Sequence, residues 1–166
     1  APGHTAQPFG LSDSSLPHLR SAWRKDVKNT IQANLSQFAQ KIALVPGKAY
    51  VSDALSQTLQ MSEGDLAFID PPYSEVQYSR FYHVLESVAR GVVGPVSGRG
   101  RYPPISDRPQ SDFCRKTSSV DAFAELMLGV AAAGAEAIVT FPAGAASNGL
   151  TGSIVEAISS QYFVVK

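Results

Sequence analysis

An aspartate, two prolines and a tyrosine in direct succession, Asp70-Pro71-Pro72-Tyr73, follow the apolar run Leu66-Ala67-Phe68-Ile69. A carboxylate accepts hydrogen bonds, and a phenol offers a flat ring with one polar end. Prolines extend neither a sheet ladder nor a helix, so the chain must turn at Asp70. The apolar run is short and continuous, which predicts a strand buried on both faces. The acid and the ring would then stand at the carboxyl end of that strand, the edge where open α/β sheets bind ligands.

The elements that must position this turn lie on both sides of it. Upstream, Leu19, Trp23, Val27, Ile31, Leu35, Phe38 and Ile42 recur at steps of three or four, which predicts one long amphipathic helix over about 19–44, ended by Val45-Pro46-Gly47. Its polar side carries Arg20, Arg24, Lys28 and Lys41. That side would lie along a polyanion, or be the solvated face of a helix packed on the sheet. Lys48–Val51 is a strand candidate, and Asp53 beyond it is placed to cap a helix holding Leu55 and Leu59. Downstream, helical spacing returns over about 76–90 with Tyr78, Phe81, Val84, Leu85 and Val88 on one stripe; His83 on that helix is expected to be structural. Residues 91–119 are irregular, rich in Gly, Pro and Arg, and read equally as a mobile loop gripping a phosphate backbone or as disorder. Ser119 can cap a helix over about 120–133 that Gly134 stops. A strand at 137–141, a small-residue loop at 143–150, a helix at 151–160 and a last strand at 162–165 complete the chain. Strands alternating with helices predict an α/β fold with a mainly parallel sheet.

Bulk properties narrow the class. At 166 residues, 44% apolar and 17% charged, the chain has the composition of one globular domain, with residues 1–18 a loose N-terminal segment. No apolar run is long enough to span a bilayer and no leader pattern opens the sequence, so the expectation is a cytoplasmic protein without a membrane partner. The single cysteine, Cys114, excludes a disulfide framework and a cysteine-based zinc site, and no metal is expected. Net charge is zero but segregated: six bases against one acid over 20–48, six acids against one base over 53–86, and six bases against two acids over 90–116. Basic flanks around an acidic centre suit phosphate contacts beside a carboxylate site, and suit equally the solvated faces of an ordinary globular domain.

Asp70 to Tyr73, with Ser74-Glu75-Val76-Gln77-Tyr78-Ser79-Arg80-Phe81-Tyr82-His83-Val84-Leu85-Glu86 after it, resembles the motif of the D12 class of adenine-specific DNA methyltransferases. The close resemblance covers about twenty residues, and the element order of the second half follows it more loosely. It implies a Rossmann-like methyltransferase sandwich, S-adenosylmethionine as cofactor, DNA as partner and methyl transfer to the exocyclic amine of a flipped-out adenine. In that scheme Asp70 accepts a hydrogen bond from the amine, the Pro71 carbonyl accepts the second, Pro72 fixes the turn and Tyr73 stacks on the base. Asp53 would contact the cofactor. Tyr78, Arg80, Arg99, Arg101 and Arg108 are candidates for contacts to nucleic acid. The family's glycine-rich cofactor loop, of the type Phe-x-Gly-x-Gly, has no counterpart here. Residues 19–166 are therefore expected to be the later part of a catalytic domain, inactive alone and completed by the remainder of the same enzyme. An RNA amino-group methyltransferase, or a non-catalytic α/β module derived from a methyltransferase, stands as the alternative.

Overall fold

A computed structural model of the chain describes residues 13–98 and 102–166. They form two compact units with the boundary between Val51 and Ser52. In the first, helix α1 spans Leu16–Trp23 and helix α2 spans Val27–Ala39. The single long helix expected here is thus two. The break is made by Asp26, whose Oδ1 accepts the Asn29 N–H at 2.9 Å and whose Oδ2 accepts from Asn29 Nδ2 at 2.7 Å. An aspartate satisfies the unpaired N–H groups of a first turn better than it tolerates a helix interior, so it starts a new helix. The apolar stripe is exposed from Trp23, at 83%, to Ile42. Residues 48–51, expected as a strand, have no regular structure.

The second unit is built around helix α5, Ser119–Ala132. Phe123, Met127 and Val130 fall on one side of it and are almost completely buried. Gly134, at φ 71°, takes the left-handed conformation that ends it, and the Ala135 N–H closes back on the Val130 carbonyl. Helix α3, Ala54–Thr58, lies so close to α5 that a Cβ on Gly129 would sit 2.5 Å from Thr58 Oγ1. Strands β1, Leu66–Ile69, and β2, Glu136–Val139, pair in parallel with Leu66 opposite Glu136 and Ile69 opposite Val139. Helix α4, Ser79–Arg90, and helix α6, Gly152–Ser159, complete the set.

The observed class is mixed α/β with a two-stranded parallel sheet. β1 is not buried on both faces as expected. Ile69 is buried and Ala67 partly so, whereas Phe68 is 68% exposed and Leu66 and Ile138 are exposed with it. Pleating sends alternate side chains to opposite faces, and among the described residues only one face is covered by the core. The strand expected at 162–165 is absent as well. The N–H groups of Tyr162 and Phe163 donate to the Ser159 carbonyl at 3.1 and 2.9 Å, in the turn that closes α6, and are unavailable for a ladder. Along α4 the expected stripe is not the buried side: Leu85 and Val88 are exposed and His83 is buried.

Beyond Gly91, which terminates α4 in the left-handed region, the irregular stretch is better anchored than its composition suggests. Tyr102, Phe113 and Cys114 are buried, and short 3-10 turns form at Ile105–Asp107 and Asp112–Cys114. Cys114 is 1% exposed, and burial pushes its thiol up from the usual range. Both effects slow attack on a disulfide reagent. We expect native protein to react at Cys114 at least ~100-fold more slowly than denatured protein near neutral pH, as measured by thiol titration. Equal rates would mean that this segment is not packed.

Candidate active site

β1 ends at Ile69, whose carbonyl still accepts the Thr140 N–H at 2.9 Å. One residue on, the parallel register sets Asp70 beside Thr140. Thr140 Oγ1 donates to Asp70 Oδ1 at 2.9 Å, and the Tyr73 hydroxyl donates to the same oxygen at 3.1 Å. Two donors on Oδ1 fix the carboxylate and leave Oδ2 without a partner among the described residues. The carboxylate is exposed. Tyr73, 40% exposed, stands edge-on to Phe141 at 5.9 Å between ring centroids. Its hydrogen bond to Asp70, then the nearby carboxylate charge, raise its pKa, so the phenol stays a donor beyond the usual tyrosine range.

The two prolines have different fates. Pro71 is buried, and its carbonyl has no partner among the described residues. The Pro72 carbonyl accepts from Asn148 Nδ2 at 2.7 Å. Asn148 is fully buried; Nδ2 also donates to the Phe113 carbonyl at 2.8 Å, and Oδ1 accepts the Leu150 N–H at 3.4 Å. Ser119, expected as a helix cap, instead donates its hydroxyl to the Asn148 carbonyl at 2.6 Å. One residue earlier, Ser147 Oγ accepts the Glu75 N–H at 3.1 Å. Gln77 ties down the far end: its Oε1 accepts the Ser111 N–H at 2.8 Å and its Nε2 donates to the Ser111 carbonyl at 3.0 Å. The turn is therefore clamped from two loops distant in sequence.

A cavity of about 860 Å³ opens beside the turn, lined by Asp70, Pro71 and Pro72 together with Phe68, Ile69 and Phe113. Its other carboxylates among the described residues are Asp53, Asp112, Asp121 and Glu125, and no described lysine or arginine lines it. Such a lining favours a cationic ligand and disfavours phosphate. Asp53 does cap α3, accepting the N–H groups of Leu55 and Ser56 at 3.0 and 3.1 Å. Both bonds go to Oδ1, so Oδ2 is unspent among the described residues.

Of the residues expected to meet nucleic acid, Arg80 and Arg108 come together, their guanidinium carbons 4.7 and 5.5 Å from the centre of the Tyr102 ring. The Tyr78 ring lies against Tyr82, and burial raises its phenol pKa. Arg99 and Arg101 lie outside the described residues. His83 is buried, its Nδ1 3.0 Å from the Arg80 carbonyl, and it does not line the cavity at Asp70. Sequence reasoning missed Thr140, Phe141, Gln77 and Asn148. For the first two there was a signal: each strand ends in a polar residue that leads into proline, and pairing the strands at that point brings Thr140 to Asp70. Asn148 and Gln77 carry none, because their partners are backbone atoms far away in the chain.

A model of the D12 class N6 adenine-specific DNA methyltransferase family matches residues 5–139. Among curated relatives, the chain is 63% identical over 27 residues to the modification methylase LlaI of Lactococcus lactis subsp. lactis, a stretch covering 16% of this chain and 4% of that protein. It is 30% identical over 80 residues to the type II methyltransferase M.NlaIII of Neisseria lactamica, covering 48% of this chain and 23% of the relative. It is 34% identical over 80 residues to the type II methyltransferase M.FokI of Planomicrobium okeanokoites, covering 48% and 12%. The chain thus spans less than a quarter of the length of each of these relatives. No solved structure matches it significantly.

Proposed function

The chain belongs to the D12 class N6 adenine-specific DNA methyltransferase family, and from that premise we propose that the protein transfers a methyl group from S-adenosylmethionine to the exocyclic amine of adenine in DNA. We assign β1 and β2 to neighbouring strands of a Rossmann-like methyltransferase sheet, a reading supported by their parallel pairing. The names of the relatives support a modification enzyme of a restriction–modification system, and we infer that it works in the cytoplasm, where its DNA substrate would lie.

The observation that carries the proposal is the pair of unspent acceptors at the turn, Asp70 Oδ2 and the Pro71 carbonyl. The lone pair of an aromatic amine is delocalised into its ring, which makes the nitrogen a poor nucleophile. Two acceptors for its two N–H groups hold the nitrogen toward tetrahedral geometry and localise that pair. They also face the positive charge that grows on nitrogen as the new bond forms. Thr140 and Tyr73 fix the carboxylate before the base arrives, and Asn148 and the proline ring fix the backbone. Tyr73 presents a half-exposed ring on which an extruded base can stack.

The cofactor, when bound, supplies an electrophilic methyl carbon on a sulfonium sulfur. The acidic cavity suits such a cation in charge and in size, and Asp53 Oδ2 is the acceptor we assign to its adenosine part. Among the described residues no glycine lines the cavity, which supports weak cofactor binding by these 166 residues alone. Tyr78, Arg80, Arg99, Arg101 and Arg108 are assigned to DNA.

The test is methyl transfer by the full-length protein from radiolabelled cofactor to unmethylated DNA and, in parallel, to RNA, followed by nucleoside analysis. N6-methyladenine in the DNA is expected. Label recovered in RNA alone, or in neither, would overturn the proposal.

A further inference from the structure

A second cavity, of about 530 Å³, shares Gln110 with the acidic one. Among the described residues four cations line it, Arg80, Arg108, Arg115 and Lys116, against one carboxylate, Glu75. The cations come from two separate elements, the first turn of α4 and the irregular stretch after it. Tyr102 holds two of them on one ring, and the Arg108 Nε donates to the Pro103 carbonyl at 2.7 Å. Arg115 pairs with Asp112 at 3.3 Å at the surface. Arg80, Arg108 and Lys116 have no carboxylate partner among the described residues. Like charges gathered in a hollow with fewer counter-charges repel one another, and an anion that enters relieves the repulsion.

The two cavities are opposite in charge, and one short segment runs between them. Asp70, Pro71 and Pro72 line the acidic cavity, and Glu75, Val76 and Gln77 line the basic one. Tyr73 and Ser74 lie between. We infer that the basic cavity is a phosphodiester subsite, which seats the DNA strand beside the nucleotide presented at Tyr73, with Arg80, Arg108, Arg115 and Lys116 as its cations. This rests on the proposed activity and adds to it a site that fixes the strand without reading its sequence. Bidentate guanidinium groups suit phosphate oxygens, and the Lys116 ammonium adds a point charge.

The experiment uses full-length protein and a short unmethylated DNA duplex, with affinity measured over a series of salt concentrations. Each phosphate contact steepens the fall of log K with log salt by about one unit. Arg80→Gln and Lys116→Gln should each reduce the slope by about one and the affinity near physiological salt about five-fold, equally for every duplex sequence; together they should reduce the slope by about two. Lys116→Arg should restore the slope. Arg90→Gln, which removes an exposed cation paired with Glu86 outside the cavity, should leave it unchanged. A purely structural role for these residues would not move a salt slope. Unchanged slopes in a protein that still methylates DNA would sink this inference and leave the activity standing. So would loss of inorganic pyrophosphate binding with duplex slopes unchanged, which would mark a site for free phosphates. A wild-type protein that neither binds nor methylates DNA would remove the activity and the subsite together.

Discussion

Asp70→Asn in the full-length protein is expected to lower the rate of methyl transfer to DNA by about a thousand-fold, comparable to removing one preorganised acceptor or donor from an active site. The substitution keeps the size of the side chain and leaves an oxygen for Thr140 Oγ1 and the Tyr73 hydroxyl, so the turn should stay folded. It places an NH2 group where Oδ2 was, and that group faces the amine of the substrate donor to donor. The effect should therefore fall on the saturating rate and spare the affinities for cofactor and duplex. Asp70→Ala should be at least as slow. Tyr73→Phe loses only the bond to Oδ1 and should cost about ten-fold, because Thr140 still fixes that oxygen and the ring still stacks. Single-turnover rates with tritiated cofactor measure all three. An Asp70→Asn protein within about ten-fold of wild type would show that the carboxylate does not polarise the amine.

What the sequence disclosed about this site followed from short-range chemistry. Four apolar residues before Asp-Pro-Pro fix the end of β1 because proline stops a ladder whatever surrounds it, and Leu66–Ile69 is the strand observed. Helix α5 was legible for a similar reason: its apolar residues recur at helical spacing and a glycine ends it. The misreadings came where tertiary context decides. The first helices carry a periodic apolar face that continues through Asp26, and the pattern hides the cap that breaks them. Residues 48–51 and 162–165 have β-branched and aromatic content, but a strand exists only beside a partner. At 162–163 the N–H groups go to the α6 turn instead. A continuous apolar run such as Leu66-Ala67-Phe68-Ile69 predicts burial on both faces, yet the side chains alternate and Phe68 points away from the core. At the site, the residue types of the turn were legible, and the clamps that hold it were not. Asn148 sits in a stretch of small residues that reads as an ordinary loop.

That asparagine gives the largest expected effect on stability. Its amide orientation follows from its surroundings: Nδ2 faces the carbonyls of Pro72 and Phe113, and Oδ1 faces the Leu150 N–H. Leucine has the same number and branching of side-chain heavy atoms and is the bulkier of the two, so Asn148→Leu should leave no hole. It would, however, take the partner away from three groups, the carbonyls of Pro72 and Phe113 and the Leu150 N–H. Each buried polar group left unpaired costs about 1–3 kcal/mol. A loss of about 2–5 kcal/mol is expected for the three together, since Pro72 is only half-buried, and in a chain of this size that lowers the Tm by roughly 5–15 °C. The Pro72 carbonyl is one of the three groups released, so the turn that carries Asp70 and Tyr73 loosens at the same time. Methyl transfer by the surviving folded protein at a temperature well below its Tm should then fall as well, by about ten-fold. Asn148→Asp separates the two contributions. It keeps the acceptor for Leu150 but turns both carbonyl contacts into repulsions, so it should be the less stable of the two variants. A thermal scan that finds Asn148→Leu within about 1 °C of wild type would mean that the Pro72 carbonyl is held by something other than this amide.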